Sequence, residues 1–455
     1  MNNRIKDALQ GNPISSKVAV VSGQFAGRVY LVGGMVRDII MGRETDLLDI
    51  DIAVDGDPAE LGKILSKALG AHLFPISREF YTWRVVSDSD SKNRFTIDIT
   101  PLRDVSIEGD LLERDFSINS IAIDLSSFSE GEYIRLIDPR NGINDISAHL
   151  IRSGDSSPFE RDPVRLIRAL RFENVLGFNI EEHTARFIKE KAELIRDVSG
   201  ERIRDEIVQV FHKGQADSFF KRLDSFGLLN ILFPGLSGEG GKNQFALISR
   251  VESLLATPPV FLSDYSGEIS AYFETSIGDG FLKADILKLS SFIAGYPGVY
   301  STSPQTFTER LKMGNKGEGL LKLSLSNHIL VPEEGSLERR DIYHLLSAGG
   351  DAAIIKLLLS IAGEEIERGE DLPQNIIKGY QSIFKFYFNE YKLREKPLLN
   401  GEDVMSHLNI SPGPEVGKLL KLVEEEYIVG NISSREDALG YIEGGLLYSP
   451  FRKGG

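Results

Sequence analysis

Two alternating aspartates, Asp49 and Asp51, are the residues of this chain whose type and spacing most directly suggest chemistry. Side chains of a strand alternate between its faces, so a strand over residues 49–54 points both carboxylates to the same side. Such like charges repel, and a divalent cation between them would relieve the repulsion. Oxygen ligands that leave coordination positions open suit Mg²⁺, which keeps waters and takes substrate phosphates. The pair therefore predicts a magnesium site for an in-line displacement at phosphorus.

Two glycines, Gly33 and Gly34, precede these aspartates and separate a predicted strand at residues 29–32 from a predicted helix at residues 35–41. Glycine lets the backbone turn sharply and approach a ligand without a Cβ in the way. The free N–H groups at a helix start are a seat for phosphate oxygens. An Asp-x-Asp pair alone is more often a solvated strand face. The glycine turn, with Arg37 on the helix behind it, favours a nucleoside triphosphate site instead.

Three strings carry a family resemblance: GGMVRD at residues 33–38, GR at 42–43 and DIDIAV at 49–54. Together they resemble the signature of class II tRNA nucleotidyltransferases and bacterial poly(A) polymerases. Those enzymes share the nucleotidyltransferase head of the DNA polymerase beta superfamily. The resemblance implies an enzyme in which Asp49 and Asp51 are catalytic and hold Mg²⁺, while the glycine turn and its arginine seat the triphosphate.

Two further blocks follow in the family's order. Residues 95–100 alternate as a strand with Asp98 on the polar face, where the superfamily often carries a third catalytic carboxylate, and Arg103 follows as in the family. Residues 113–122 resemble the block Arg-Arg-Asp-Phe-Thr-Ile-Asn-Ala, which reads the ribose and steadies the triphosphate. The resemblance implies nucleotide-binding roles for Arg114, Asp115 and Asn119.

The segment at residues 161–172 is similar to the family block that selects the incoming base. A proline in the first turn of a predicted helix would put Asp162 and Arg165 on one face, three residues apart. A carboxylate acceptor beside a guanidinium donor can imitate a complementary base, which pairs with cytosine or adenine and mismatches guanine and uracil. Arg168 and Arg171 continue the same stripe toward the phosphates.

The chain departs from the family pattern at two positions. The first arginine of the ribose block is Glu113, so the contact that this arginine makes in the family is not expected here. The family often has an acid directly before the base-selecting aspartate, and this chain has Arg161 at that position. Its nearest acid, Glu160, stands one position earlier.

A third departure concerns chain length. In relatives that add C, C and A, a much longer segment, including a flexible loop needed when the pocket switches to ATP, separates the strand-plus-arginine element from the ribose block. Here only residues 104–113 separate Arg103 from Arg114. The short segment resembles enzymes that add only the two cytidines and leave adenine to a partner enzyme. The alternative that another loop, at residues 87–94, takes the role of the missing flexible loop is left open.

The order of patterns predicts an α+β chain, with a mixed-sheet head followed by helices. We expect a leader with one short helix at 1–24, the nucleotidyltransferase head at 25–148, a base-selecting and RNA-binding neck at 149–215, a helical body at 216–370, and a helical tRNA-binding tail at 371–455. In the body, Ala294-Gly295 stands where some relatives carry a His-Asp metal-hydrolase motif, so a second, phosphohydrolase activity is not expected.

Composition agrees with a cytoplasmic enzyme. The 455 residues include no cysteine, which excludes disulfides and thiol chemistry, and no apolar run looks long enough to span a bilayer. A formal net charge of −15 argues against broad nonspecific RNA binding, but a local basic stripe can still be positive on an acidic body.

These patterns together predict a template-independent tRNA nucleotidyltransferase. It would transfer CMP from CTP to the tRNA 3′ end, with AMP transfer from ATP left open and with a separate A-adding enzyme as a partner in the CC-only case. The first alternative is a poly(A) polymerase on the same scaffold. The second, favoured less, is a catalytically inactive RNA-binding protein with a decayed head.

Overall fold

The structure is a computed structural model, which describes residues 2–43, 49–77, 81–87, 94–126, 134–234, 236, 242–295, 304–326, 337–369, 372–394 and 396–447. The chain divides into two compact units. The first comprises Met1–Glu206 with Arg222–Leu232, and the second comprises Ile207–Lys221 with Phe233–Gly455. The predicted leader therefore packs with the head rather than apart from it.

A seven-stranded mixed sheet forms the centre of the first unit, as the sequence predicted. Its strands in chain order are β1 (Val29–Val32), β2 (Asp49–Val54), β3 (His72–Ser77), β4 (Thr82–Val86), β5 (Thr96–Pro101), β6 (Ala122–Asp124) and β7 (Leu136–Ile137). The spatial order is β3-β4-β5-β2-β1-β6-β7, in which β2 and β5 are parallel and the other pairs antiparallel. The register sets Asp51 beside Val32 on one side and beside Asp98 on the other.

The leader forms two helices, α1 (Asn2–Gly11) and α2 (Pro13–Ser22), so the prediction of one short helix was wrong. The break has a local cause: the Asn12 side chain accepts hydrogen bonds from two following backbone N–H groups, and proline starts the second helix. The other α-helices up to residue 232 are α3 (Gly34–Met41), α4 (Pro58–Leu69), α5 (Ile107–Leu112), α6 (Gly142–Ser147), α7 (Ser157–Arg161), α8 (Arg165–Leu176), α9 (Glu182–Glu190), α10 (Gly200–Lys213), α11 (Ala216–Ser225) and α12 (Leu228–Leu232). The short strands β8 (Leu150–Ile151) and β9 (Asn179–Ile180) pair with each other.

The short segment between Arg103 and Arg114 is a packed helix rather than a loose loop. Helix α5 begins directly after Ser106, whose hydroxyl accepts a hydrogen bond from the backbone N–H of residue 109 at 3.1 Å. Ile107 and Leu111 point into the core beneath the sheet, where they join residues of β1, β2, β6 and β7. This helix therefore has little freedom to change shape beside a ligand. Residues 88–93, the centre of the proposed substitute loop, lie outside the described residues.

The second unit is mainly helical. Its elements from residue 242 onward are α13 (Lys242–Ala256), α14 (Ser266–Phe273), the strands β10 (Ser276–Gly278) and β11 (Phe281–Leu282), α15 (Lys283–Ala294), α16 (Pro304–Arg310), α17 (Asn315–Leu325), α18 (Arg339–Gly349), α19 (Ala353–Arg368), α20 (Gln374–Phe386), α21 (Gly401–Leu408), α22 (Pro414–Val429) and α23 (Arg435–Leu447). The last three pack around a small core of their own that includes Val404, Val423 and Ile442.

One helical stretch corrects the expectation about membrane spans. Residues Arg339–Arg368 run through α18 and α19 and are long and apolar enough to cross a bilayer by length and composition. However, 67% of the apolar window is buried inside the protein. Burial of that kind is what a core helix of a folded domain shows.

We expect Leu111→Ala to lower the free energy of unfolding by about 2–4 kcal/mol, because the Leu111 side chain is fully buried and its removal leaves a cavity. The next residue provides a matched control: Leu112 is 53% exposed, so Leu112→Ala should cost less than about 0.5 kcal/mol. Urea unfolding followed by fluorescence of Trp83, the chain's one tryptophan, reports on this unit. Equal effects of the two substitutions would contradict the packing described for α5.

Candidate active site

A cleft of about 450 Å³ opens in the first unit at the end of the glycine turn. Most of the residues singled out in the sequence line it. The lining comprises Gly33, Gly34, Arg37, Asp49, Asp51, Arg103, Arg114, Asp115, Asn119, Arg165, Arg168, Arg171 and Phe172. Asp98 and Asp162, also predicted as site residues, are not part of the lining.

The glycine turn is required by its closeness to one of the aspartates. Gly33 has φ +78°, a left-handed backbone that side chains disfavour, and it caps the start of α3. A Cβ at this position would lie 2.8 Å from Oδ2 of Asp51. The glycine turn and the Asp51 carboxylate are therefore close enough for one ligand to contact both.

Asp49 and Asp51 are both open to the cleft, while Ile50 and Ile52 between and after them are buried. The predicted alternation of β2 is confirmed over residues 49–52, whereas Ala53, predicted on the same face as the aspartates, is buried in the core with Ile107 and Leu111. Desolvation by the protein around Asp51 raises its pKa to about 6, opposed by Arg114 and reinforced by Asp98 and Asp49. Because ionisation of Asp51 is disfavoured beside Asp49, a bound cation would stabilise the negative charge of both carboxylates.

The two carboxylates fit a divalent cation that takes its remaining ligands from substrate. Among the described residues no group of three or more His, Cys, Asp or Glu side chains could hold a metal ion. Asp49 and Asp51 alone would leave most of the coordination shell to water and phosphate oxygens, which is the usual arrangement for Mg²⁺ at a nucleotide.

Asp98 is the neighbour of Asp51 across the β2–β5 pair, but it is engaged elsewhere. Its two oxygens accept hydrogen bonds from Nε and Nη2 of Arg84 at 2.6 and 2.7 Å. This bidentate pair turns the Asp98 carboxylate toward β4. A role for Asp98 as a third catalytic acid stays a prediction.

The floor of the cleft is a continuous chain of hydrogen bonds. Arg37 is buried and donates from Nη1 to Oδ1 of Asn119 at 3.0 Å, and Asn119 donates to Oδ1 of Asp115 at 3.2 Å. Arg168 donates to the other oxygen of Asp115 at 3.2 Å and, from Nε, to Glu206 at 2.8 Å. Residues from α3, the ribose block and α8 are therefore fixed relative to one another.

Glu206, on α10, completes this chain. Its second oxygen accepts from Nε of Arg171 at 2.6 Å. The Arg171 guanidinium also lies over the ring of Phe172, 4.3 Å from its centroid. One carboxylate thus holds two arginines of the cleft side by side, and the rest of each guanidinium is left for a ligand.

Asp115 remains ionised in this setting. Burial by itself would raise its pKa, but the guanidinium groups of Arg168 and Arg165 and hydrogen bonds from Asn119 and the Phe116 N–H outweigh that effect and hold the pKa below its ordinary value. The negative charge of Asp115 offsets the repulsion between these arginines.

The opposite wall is organised by Asp110 of α5, whose side chain is almost fully buried. One of its oxygens accepts hydrogen bonds from Nε and Nη2 of Arg114, each at 3.0 Å. The other accepts from the backbone N–H of Arg103 at 3.2 Å. Both arginines are thereby placed along the cleft.

The predicted base-selecting residues Asp162 and Arg165 do not share one face of a helix, so that part of the prediction was wrong; Asp162 lies on a turn between two helices. Helix α7 ends at Arg161, Asp162 has φ −148° and ψ 89°, and α8 starts only at Arg165. Pro163 explains the break, because the residue before a proline is driven from helical to extended backbone. Asp162 and Arg165 still form an ion pair at 3.8 Å, and Arg202 donates to Oδ2 of Asp162 at 2.8 Å.

Two polar atoms of this pair have no hydrogen-bond partner within the part of the chain that the structure describes. They are Oδ1 of Asp162 and Nε of Arg165, and both are buried. Buried polar atoms of native proteins normally have partners, so an acceptor and a donor left together point to a ligand that would satisfy both.

Some of the functional side chains were missed by the sequence reasoning. Phe172 stands inside the predicted base-selecting block but reads as an ordinary core residue. Asp110 of α5 pairs with Arg114 four residues later in the chain, a helical spacing that the sequence could have revealed. Arg202 and Glu206 contact residues of the site from distant points of the chain, and local spacing gives no signal for such contacts.

We expect Asp49→Asn and Asp51→Asn each to weaken binding of a divalent cation by about tenfold or more, because each removes a charged oxygen ligand. Titration with Mn²⁺ followed by electron paramagnetic resonance measures this without any reaction. Asp55→Asn is the matched control, since Asp55 follows the same strand and is exposed outside the cleft. Retained Mn²⁺ affinity in both site variants would exclude the two carboxylates as the metal site.

Comparison with known proteins agrees with this geometry. The profile described as the poly A polymerase head domain matches residues 29–152, and that described as a probable RNA and SrmB-binding site of polymerase A matches residues 177–239. A CC-adding tRNA nucleotidyltransferase from Geobacter sulfurreducens is 27% identical over 443 residues, 96% of either chain. An A-adding tRNA nucleotidyltransferase from Deinococcus radiodurans is 26% identical over 436 residues, 91% of this chain and 94% of the relative.

The fold is found in solved structures as well. The complex of a CCA-adding enzyme with CTP superposes with a TM-score of 0.66 at 22% identity, over 97% of this chain and 98% of that one. The head profile covers β1 to β8, including the glycine turn and both aspartates of the cleft. The chain belongs to the family of class II tRNA nucleotidyltransferases.

Proposed function

We propose that this chain is a template-independent tRNA nucleotidyltransferase that transfers CMP from CTP to the 3′ end of tRNA and stops after two cytidines. The observation that carries the CC-only part is helix α5, a packed helix where relatives that add all three nucleotides have a longer segment with a flexible loop. Similarity to CC-adding, A-adding and CCA-adding enzymes supports the reaction class and leaves the number of nucleotides to be argued from the site.

The triphosphate would lie between the glycine turn and the arginines of the cleft. Backbone N–H groups at the start of α3, near Gly33 and Gly34, would donate to the phosphate oxygens. Arg114 and Arg168 offer positive charge from opposite walls and are already oriented by their carboxylates. This pre-formed arrangement would hold the α-phosphate in line with the RNA 3′-hydroxyl, so that the hydroxyl oxygen attacks and pyrophosphate leaves.

Mg²⁺ held by Asp49 and Asp51 would supply the charge that neutralises the triphosphate and favours the ionised hydroxyl. Asp98 would act behind them, where its ion pair with Arg84 fixes β4 against β5 next to Asp51. Asn119 and Asp115 would order the ribose end, as the family resemblance implies.

The unpartnered atoms of the base-selecting pair match the edge of cytosine. Both atoms are buried and Asp162 lies outside the cleft lining, so the turn would have to shift toward the cleft when the base binds. The amino group of the base would then donate to Oδ1 of Asp162, and its ring nitrogen or carbonyl oxygen would accept from Nε of Arg165. Adenine offers a similar donor and acceptor but is larger. We propose that the fixed position of α5 keeps the pocket from opening to the larger base.

The RNA partner would be the acceptor end of tRNA, recognised by shape through the helices that follow the head. The proposed location is the cytoplasm, and in the CC-only case a separate A-adding enzyme would complete the end. A poly(A) polymerase on this scaffold remains the alternative, which long A tails on unstructured RNA would support.

We expect purified protein with Mg²⁺ and CTP to extend a tRNA transcript that ends at the discriminator base by two cytidines, and ATP to leave a CC-ended transcript unextended. Sequencing of the 3′ ends measures both. The double variant Asp49→Ala with Asp51→Ala should abolish incorporation. A completed CCA end would contradict the CC-only proposal but still agree with a tRNA nucleotidyltransferase. Incorporation by the double variant would contradict the proposed mechanism.

We expect Asp162→Asn to reduce the preference for CTP over UTP by about tenfold or more, because an amide can donate to the uracil carbonyl that the carboxylate repels. The ratio of kcat/KM for the two nucleotides is the measurement. Glu160→Gln, two residues away on α7, is the matched control because Glu160 pairs with Lys191 outside the cleft lining. An unchanged ratio in Asp162→Asn would exclude this carboxylate from base selection.

A further inference from the structure

Glu113, the residue that ends helix α5, contacts both sides of the base-selecting turn. Its carboxylate forms an ion pair with Arg161, the last residue of α7, which directly precedes Asp162. Its backbone carbonyl accepts a hydrogen bond from Nη1 of Arg165 at 3.5 Å. The residues before and after the turn are thus tied to the same point of α5.

The same end of α5 is joined to the triphosphate wall. Arg114 follows Glu113 directly. The Arg114 guanidinium donates two hydrogen bonds to the carboxylate of Asp110, which lies on α5. Ile107 and Leu111 anchor the helix in the core. Helix α5 therefore connects the arginine of the phosphate wall to the turn that carries Asp162.

The ion pair joins the two positions at which the chain departs from the family pattern. Glu113 stands in place of an arginine, and Arg161 stands in place of an acid. The two departures are complementary in charge and face each other in the structure. A substitution at one position alone would put like charges together.

We propose that Glu113 is a positioning residue for base selection, which acts by holding Arg161 and thereby sets the place of Asp162 relative to Arg165. The inference rests on the proposed function, because the base it positions is that of CTP. It differs from a stabilising surface contact: the side chains of Arg161 and Glu113 are 43% and 47% exposed, and ion pairs of that exposure contribute little to stability. The effect is expected in nucleotide selection.

We expect Glu113→Gln and Arg161→Gln each to raise KM for CTP by about three- to tenfold, with kcat within about twofold and with more UTP incorporation, because the turn loses its tether while the metal and phosphate groups stay in place. The charge-swapped double variant Glu113→Arg with Arg161→Glu should restore KM to within about twofold of the wild type. Thermal melting of each variant checks that the fold is retained.

The matched control is Glu108→Gln. Glu108 lies on the same helix α5, its side chain is 49% exposed, and its ion pair at 3.8 Å is with Arg135, away from the turn. This variant should behave as the wild type. The inference is overturned if Glu113→Gln behaves like Glu108→Gln, or if the swapped variant is no better than either single variant.

Equilibrium binding of CTP without RNA separates this inference from the proposed function. If the wild type transfers no CMP to tRNA, the proposed function fails, and the order of CTP affinities among these variants still decides the role of Glu113. If the wild type transfers CMP and the affinities are all equal, only the positioning role fails.

Discussion

Crowded positive charge is the constraint on which this site depends. Several arginines line one cleft, and they would repel each other unless carboxylates stood between them. Asp110, Asp115 and Glu206 have that role, and each holds one or two arginines by charge-assisted hydrogen bonds. Each guanidinium keeps its charge and part of its surface for phosphate oxygens. The binding site is therefore assembled before a nucleotide arrives.

The same arrangement explains how an acidic protein can take a polyanionic substrate. The chain has a formal net charge of −15, which disfavours general binding to nucleic acid. At the cleft, Asp110, Asp115 and Glu206 are paired with arginines, and Asp49 and Asp51 are the carboxylates proposed to hold a cation. A strongly local positive field on an acidic body selects for a triphosphate and an RNA end that fit the cleft, rather than for RNA in general.

Stiffness is the other property of the site. Helix α5 is held by core packing on one side, by Asp110 at its centre and by Glu113 at its end. A flexible segment would let the walls separate for a larger base, at an entropic cost each time the pocket formed. A fixed helix gives up that freedom and keeps one pocket shape. Under the proposed CC-only function, the packing of this helix would be what restricts the pocket to cytosine.

Much of this molecule could be predicted from its sequence. The glycine turn, the alternation of Asp49 and Asp51, the mixed-sheet head and the helical remainder follow from backbone preferences and side-chain periodicity, which are local properties. Most of the predicted nucleotide-binding residues do line one cleft. Periodicity also misled in places: it missed the break that Pro163 imposes before α8 and the second helix of the leader.

The tertiary structure alone decided which charges meet. Glu206 lies 35 residues from Arg171, and Glu113 lies 48 residues from Arg161, so neither pairing leaves a trace in local spacing. The segment between Arg103 and Arg114 is short in sequence, but only packing against the sheet shows that it is a rigid helix. Sequence determined the residue types and the strands and helices that carry them. The selection among their electrostatic partners required the three-dimensional fold, because Coulomb attraction acts through space and not along the chain.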